Sequence, residues 1–235
     1  VKPEGTDKPI TLDPESPPII DPKDGTFHSV VEDNYKQAVE NRKLTQKQVE
    51  EWVASRYQSE NGKISSVVVK DQNGHVVTEM DLSKPENYVI ETVVKDEYGN
   101  TTTILTDYEI KSAPHISIKP EKPGELPIIP LLPDGPDVMD KDGHVHREYS
   151  DYIVEDKVDE KLTLSEVEEF VLNRYDVPDN AKVIVKMFDK DKKPITQLDK
   201  SIIGQYYIEI TVEDEEKNTS DIHLVYEIKE KSNIN

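Results

Sequence analysis

The side chains whose types and spacing come closest to a reactive site lie between residues 140 and 146. Asp140, Asp142, His144 and His146 follow one another at every second position, and imidazole and carboxylate groups are both zinc ligands. A turn of the Lys-Asp-Gly type is mostly solvated, however, and only His146 has a counterpart, His28, in the repeat described below. The sequence therefore favours an acidic surface turn over a metal site.

The other acidic clusters do not have the spacing of a catalytic or metal-binding motif. Residues Asp189 to Asp191 resemble part of a calcium loop but lack the glycine and the closing glutamate of an EF-hand. Glu50-Glu51 and Glu168-Glu169 are adjacent pairs that do not converge on one point from a helix, and carboxylates near a helix N-terminus are favourable simply through the helix dipole. The chain has no glycine-rich phosphate loop and no nucleophile elbow. We expect a non-enzymatic protein with no catalytic residue, metal or cofactor, and the sequence identifies no ligand-binding residue.

Composition argues against several classes of partner. The chain has 235 residues, 49 Asp plus Glu against 29 Lys plus Arg, a formal charge of -20 and a sequence pI near 4.7. Such a charge repels phosphate backbones and anionic lipid, so we expect no nucleic-acid partner and no membrane insertion. No apolar run is long enough for a membrane span, and the absence of cysteine removes disulfides and thiol chemistry. Because the chain starts at Val1 without an export signal, we expect it to be a segment of a longer protein.

An internal repeat organises the chain. Lys23-Asp24-Gly25 recurs as Lys141-Asp142-Gly143, which is 118 positions later, and the same offset holds to the end of the last strand-like run. Prolines stiffen extended chain and crowd the start of each copy, around Val1–Glu4 and Ile118–Glu121. The sequence therefore predicts two repeat domains, residues 1–117 and 118–235, each with a proline-rich lead.

Each copy contains one predicted helix. Thr45 with Gln48, and Thr163 with Glu166, form capping boxes at the predicted helix starts. Apolar side chains then recur with helical spacing in both copies. In the first copy these side chains are Val49, Trp52, Val53 and Tyr57, and in the second they are Val167, Phe170, Val171 and Tyr175.

The remainder of each copy is typical of strands. In the first copy, Ile64 to Lys70 and His75 to Met80 flank an Asn-Gly pair that suits a type I′ hairpin turn. The second copy keeps the hairpin without the glycine. A second hairpin is predicted from Tyr88 to Ile110, and its counterpart runs from Tyr206 to Ile228.

The second hairpin carries a resemblance to a known family. The run Tyr88-x-Ile90-x-Thr92-x-Val94-x-Asp96-x-x-Gly99-Asn100 and its counterpart from Gly204 to Asn218 are similar to the last two strands of tandem bacterial immunoglobulin-like repeats. Those repeats occur in cell-wall-anchored surface proteins of Gram-positive bacteria, such as internalin-like and biofilm-associated adhesins. The resemblance implies a mainly β fold with two tandem Ig-like β-sandwich domains, each with a helical insertion. Because of the capped helix, an α+β, β-grasp-like domain stays open as the alternative.

The resemblance also raises the question of an intramolecular Lys-Asn isopeptide bond. Lys23, Lys43 and Lys111 are candidate lysines, and Asn100 is the candidate asparagine. Nothing in the sequence places them together in a buried pocket with a carboxylate, so we do not predict this bond.

Two functions remain open. The resemblance implies an extracellular, secreted structural or adhesion module, attached to the cell wall through regions outside this segment, with neighbouring repeats of the same chain as partners. The alternative is a specific glycan- or host-protein-binding module. Phe170 stands at the position of Trp52 in the second copy, and the helix-ending Tyr57 recurs as Tyr175. Because the aromatic character persists while the indole does not, these residues favour core packing over sugar stacking. An aromatic surface patch that differs between the copies would favour the binding function.

Overall fold

The computed structural model describes residues 17–120, 122 and 131–231. The chain forms two compact units, Val1–Lys111 and Ser112–Asn235. The units divide before residue 117, and Ile116 is fully buried in the core of the second unit. The extended lead predicted at Val1–Glu4 lies outside the described residues, as does Glu121 at the end of the second lead.

The elements of the two units correspond in order, except that two short strands of the second unit have no corresponding strand among the described residues of the first. The elements of the first unit are β1 (Ile19–Ile20), β2 (Phe27–Ala38), β3 (Lys43–Thr45), α1 (Gln46–Arg56), β4 (Gly62–Lys70), β5 (Val76–Val77), β6 (Glu79–Asp81), β7 (Glu86–Asp96) and β8 (Thr101–Lys111). Those of the second unit are β9 (Ser117–Ile118), β10 (Val138–Met139), β11 (Val145–Asp156), β12 (Lys161–Thr163), α2 (Leu164–Arg174), β13 (Tyr175–Asp176), β14 (Lys182–Phe188), β15 (Pro194–Ile195), β16 (Gln197–Asp199), β17 (Gly204–Glu213) and β18 (Thr219–Lys229).

Each unit is built on one six-stranded sheet. The strand order is β1-β2-β8-β7-β4-β5 in the first unit and β10-β11-β18-β17-β14-β15 in the second. The first and last long strands are neighbours and run parallel, whereas the other pairs are antiparallel. The register is also the same, since Val31 lies opposite Ile104 and Tyr149 lies opposite Ile222. The two copies therefore share one topology.

A smaller second layer covers one face of each sheet. In the first unit it consists of α1 and the two-stranded β3–β6 sheet. Val49, Trp52 and Val53 of α1 pack in one core with Ile90 of β7 and Tyr108 of β8. The mainly β class with one helix per repeat is confirmed. Because the first and last long strands are adjacent and parallel, each six-stranded sheet is mixed rather than purely antiparallel.

The predicted capping boxes are present in both helices. Thr45 Oγ1 accepts a hydrogen bond from Gln48 N at 3.4 Å, and Gln48 Oε1 accepts one from Thr45 N at 2.9 Å. Thr163 and Glu166 repeat this arrangement. The reciprocal bonds satisfy backbone donors that a helix N-terminus otherwise leaves without a partner.

We expect Thr45→Ala to lower the free energy of unfolding of the first unit by about 1 kcal/mol, because the cap hydrogen bonds are lost. Trp52 is the one tryptophan of the chain and lies in the first unit, so its fluorescence during urea unfolding reports on that unit. Thr163→Ala is the matched control and should leave the Trp52 transition unchanged. Equal shifts of that transition in both variants would contradict the prediction.

The turn between β4 and β5 differs from the prediction. A type I′ turn needs positive φ at both central residues, but only Gly74 has it, at +80°, and Asn73 does not. The Asp71 carboxylate accepts hydrogen bonds from the backbone N–H groups of Asn73 and His75, both at 2.9 Å. This bonding favours a turn with a single left-handed residue. In the second unit Lys192 takes that conformation, with φ 62°.

The core of the first unit contains two buried threonine hydroxyls with different surroundings. Thr106 Oγ1 is bonded to Tyr57 Oη at 2.6 Å. Thr92 Oγ1 has no hydrogen-bond partner among the described residues. The second unit has Ile210 and Leu224 at these positions.

We expect Thr92→Val to raise the free energy of unfolding of the first unit by about 1 kcal/mol, because a buried hydroxyl without a partner is replaced by a methyl group of similar size. Thr106→Val is the matched control and should destabilise the unit, since it removes the bond to Tyr57. Urea unfolding followed by Trp52 fluorescence measures both effects. A loss of stability in Thr92→Val would show that the hydroxyl is satisfied in solution.

Candidate functional site

Each unit contains a carboxylate that joins the helix to the sheet. In the first unit Asp33 lies within β2, Arg56 is the last residue of α1, and Tyr57 follows it. Arg56 Nε donates to Asp33 Oδ2 at 2.7 Å, and Tyr57 Oη donates to the same oxygen at 2.6 Å. The side chains of Arg56 and Asp33 are only 7% and 10% exposed. We call this group the Asp-Arg-Tyr cluster; its charge-assisted bonds fix the end of the helix on the sheet.

The second unit repeats the Asp-Arg-Tyr cluster. Arg174 Nε donates to Asp151 Oδ2 at 2.9 Å, and Tyr175 Oη donates to it at 2.6 Å. The sequence analysis did not identify this cluster or its aspartates. The available signal was an aspartate at the same inward-facing strand position in both copies.

The protonation states of the cluster indicate a structural role. Burial alone would lower the pKa of Arg56, but the hydrogen bond and charge of Asp33 raise it above its ordinary value. Burial, with the hydrogen bond to Asp33, raises the pKa of Tyr57. The same directions hold for Arg174 and Tyr175. Because these shifts hold the arginines charged and the tyrosines neutral near pH 7, the cluster acts as a fixed cross-link rather than as a proton-transfer pair.

Aromatic rings surround Arg56 in the first unit. Its guanidinium carbon lies 5.1 Å from the ring centroid of Tyr35 and 5.4 Å from that of Trp52. The Trp52 ring also contacts Tyr108 edge-on, with centroids 5.2 Å apart. Trp52 is buried, so the predicted packing role of this aromatic residue is confirmed.

The side chains considered as metal ligands form hydrogen bonds at the turn that connects β10 and β11. His146 Nε2 lies 2.8 Å from Asp140 Oδ2, and its Nδ1 lies 2.7 Å from Thr219 Oγ1. The hydrogen bond from His146 holds the pKa of Asp140 below its ordinary value. His144 Nδ1 is 3.4 Å from Asp140 Oδ2. Within residues 17–120, 122 and 131–231, no group of three His, Cys, Asp or Glu side chains is placed to hold a metal ion.

The remaining acidic candidates have local roles. Asp189 Oδ1 accepts hydrogen bonds from the backbone N–H groups of Asp191 and Lys193, both at 2.9 Å, so it shapes the β14–β15 turn. Glu50 accepts a hydrogen bond from Gln46. Glu51, Glu168 and Glu169 are exposed on their helices.

The asparagine considered for an isopeptide bond is held within a turn. Asn100 Oδ1 accepts a hydrogen bond from Phe27 N at 2.9 Å, and Asn100 Nδ2 donates to Asp96 Oδ2 at 2.8 Å. Asn218 makes the equivalent bonds in the second unit. Lys43 is paired with Glu79 at 2.7 Å, and Lys23 is exposed. The structure therefore uses Asn100 to tie the β7–β8 turn to the start of β2.

A shallow depression with a volume of about 710 Å³ lies on the second unit. Its lining includes Leu132, Tyr152, Lys192, Tyr207, Glu209 and His223. Tyr152 is 51% exposed and Leu132 is 70% exposed. Lys192 Nζ lies 3.0 Å from the centroid of the Tyr207 ring, and His223 Nδ1 contacts Glu209 Oε2. Aromatic, cationic and acidic groups are thus accessible together.

The described residues of the first unit do not form this aromatic surface. The positions of Tyr152 and Tyr207 are occupied there by Asn34 and Val89, and the position of His223 by Leu105. Three buried tyrosines, in contrast, recur in both copies, since Tyr57, Tyr88 and Tyr108 correspond to Tyr175, Tyr206 and Tyr226. The depression is therefore an aromatic patch that differs between the copies, and the sequence reasoning did not locate it because the strand faces were not assigned.

No helix in the part of the chain that the structure describes has the length and apolar character needed to cross a membrane.

Comparison with known proteins does not place the chain in a family. No family model matches, and no curated protein matches. Among solved structures, the fibronectin(III)-like modules of Clostridium thermocellum CbhA are 10% identical, with 84% of this chain and 90% of that chain covered and a TM-score of 0.29. A tetra-tandem repeat from the extending region of a large adhesion protein is 13% identical, covering 73% of this chain and 42% of that chain, with a TM-score of 0.23. Immunoglobulin domains 1–4 of Sidekick-1 are 9% identical, covering 85% of this chain and 50% of that chain, with a TM-score of 0.20. TM-scores this low do not establish a common fold or function.

Proposed function

We propose that the chain is a non-enzymatic structural and adhesion module, consisting of two tandem repeats of an extracellular surface protein that is attached to the cell wall of a Gram-positive bacterium. The observation that carries the proposal is the use of the repeated polar side chains. Asp33, Arg56 and Asn100 bond to other residues of their own unit, and Asp151, Arg174 and Asn218 do the same. What the copies share is therefore a scaffold. A strong negative charge, which keeps neighbouring copies apart in solution, supports the proposal.

Antibodies raised against the 235-residue chain test this proposal on intact cells of the source bacterium. We expect the antibodies to label intact cells, and brief trypsin treatment to remove the label while a cytoplasmic marker stays protected. Labelling that appears only after lysis would overturn the proposed location.

A second candidate function, binding of a glycan or a host protein, is favoured by the depression on the second unit. Exposed aromatic rings beside hydrogen-bonding groups suit the faces and hydroxyls of a sugar. Tyr152, which is 51% exposed, and the partly buried Tyr207 supply the rings, and Glu209 and His223 supply the polar groups.

A glycan array with the full chain distinguishes the two functions. Tyr152→Asn with Tyr207→Val gives the second unit the residues of the first unit at these positions. Binding by the parent chain that this variant loses would support the second function. Binding by neither protein to any glycan, together with surface labelling of cells, would leave the structural module as the supported function.

A further inference from the structure

A cleft with a volume of about 230 Å³ lies in the first unit, at the end of the sheet where β2 and β8 begin and β7 ends. Phe27, Ser29, Gly62, Val94 and Thr102 are among the residues that line it. Ser29 Oγ and Thr102 Oγ1 are bonded to each other at 2.9 Å. The cleft therefore combines a few apolar side chains with hydroxyl, amide and carboxylate groups.

At the same end of the second unit, the chain itself packs into the core. The segment Ser112–Lys119, which we call the connecting segment, runs directly on from the last residue of β8. Ala113 is 3% exposed, and Ile116 is fully buried in the core of the second unit. The connecting segment is therefore a structural part of the unit that follows it.

Polar contacts hold the connecting segment in place. Ser220 Oγ donates to Pro114 O, and Tyr149 Oη accepts a hydrogen bond from Ile116 N at 3.3 Å. The segment then forms β9, which pairs with β13 directly after the helix. Lys119 N donates to Arg174 O at 2.7 Å.

We call the residues that hold the connecting segment in the second unit its seat, and the first unit has part of this seat. Ser220 corresponds to Thr102, which lines the cleft, and Tyr175 and Arg174 correspond to Tyr57 and Arg56. A hydroxyl donor and the backbone at the end of the helix are therefore at matching positions. The sequence has Ser29 and Val31 where the second unit has Arg147 and Tyr149. These smaller side chains leave more room in the first unit.

We propose that the cleft of the first unit is the seat for a connecting segment of the Ser112–Lys119 type, supplied by another repeat of this kind placed directly ahead of it in a chain. Each repeat then completes the core of the next with its own exit segment. An extended peptide with an aliphatic side chain at the Ile116 position is the chemistry that the seat accepts. The proposal does not depend on the cellular location of the protein.

Fusing a second copy of the sequence Ser112–Lys119 directly before Val1 tests the proposal. This length reproduces the spacing from Ile116 to β10, because the β1–β2 connection has one residue more than the β10–β11 connection: Ile19 pairs with His28, and Val138 with His146. We expect the Tm of the first unit, followed by Trp52 fluorescence, to rise by about 4 to 8 °C. The same fusion with Ile116→Asp in the added copy is the matched control and should give no rise.

A cleft variant identifies where the added segment binds. Thr102→Arg places a long side chain in the cleft. The Tm of this variant is measured with and without the fused segment, so that the effect of the substitution itself on stability cancels. We expect the Tm increment from the fusion to disappear in this background. Equal increments from the Ile and Asp fusions, no increment from either, or an increment that survives Thr102→Arg would overturn the proposal. Concentration-dependent dimerisation of the parent chain that Thr102→Arg abolishes would overturn it in favour of a second copy as the occupant.

Discussion

Replacing Asp33 by alanine is expected to lower the free energy of unfolding of the first unit by about 3 to 5 kcal/mol. The substitution leaves the Arg56 guanidinium buried between the helix and the sheet without its counter-ion. Tyr57 loses one of its two partners and keeps the other, Thr106. The cost is large because a buried charge without a partner has lost its hydration and gains nothing in return. Urea unfolding followed by Trp52 fluorescence measures this loss.

Two matched variants separate the charge effect from packing. Asp151→Ala in the second unit should cost less, because the Arg174 side chain is 26% exposed and water can reach it. Asp33→Leu combined with Arg56→Met removes both charges and should recover part of the loss, since an apolar pair of similar size avoids the desolvation penalty. A loss below about 1 kcal/mol in Asp33→Ala would show that the pair behaves like an exposed salt bridge.

Trp52→Ala is expected to have a similar effect, about 3 to 5 kcal/mol, through a different cause. The indole lies in the core of the first unit between Tyr35 and Tyr108, with ring centroids 5.1 and 5.2 Å away. Its removal leaves a cavity and takes away a ring that lies beside the Arg56 guanidinium. Differential scanning calorimetry is the suitable measurement, because the substitution removes the fluorescent probe.

Trp52→Phe provides the control for this prediction. Phenylalanine stands at the same position of the second unit, where Phe170 contacts Tyr226 edge-on with centroids 5.9 Å apart. We expect this variant to lose less stability than Trp52→Ala, because most of the apolar ring is kept. Unchanged melting of Trp52→Ala would mean that the ring is accessible in solution, and would return Trp52 to the candidate ligand-binding residues.

The parts of the fold that the sequence predicted are the local ones. The capping boxes at Thr45 and Thr163 depend on residues three positions apart, and the apolar spacing of the helices depends on residues within two turns. The hairpin from β7 to β8 depends on one short connection. Each of these features depends on residues that are close together in the sequence, and the internal repeat supplies a second instance of each.

The features that were not predicted are non-local. The parallel pairing of β2 with β8 joins residues 73 positions apart, as in the pair Asp33 and Thr106. The periodicity of a sequence does not indicate which distant strand is the pairing partner. The Asp-Arg-Tyr cluster likewise needs Asp33 from β2 and Arg56 from the helix to meet. The connecting segment shows the limit of composition, since the prolines placed the start of the second copy near residue 117, while Ile116 is already fully buried in the core of the second unit. The depression on the second unit needed the outward strand face, which follows only from the register.

The parallel pairing of β2 with β8 has a mechanical consequence. A pulling force that enters each unit through the beginning of its first long strand and leaves through the end of its last long strand acts along two adjacent parallel strands in opposite directions. The hydrogen bonds that join residues 28–38 to residues 101–111 are then loaded together in shear, rather than opened one after another as in a peeled antiparallel edge. The same holds for residues 146–156 and 219–229. Rupture under tension therefore requires many bonds to fail at once, and this raises the kinetic barrier that governs forced unfolding.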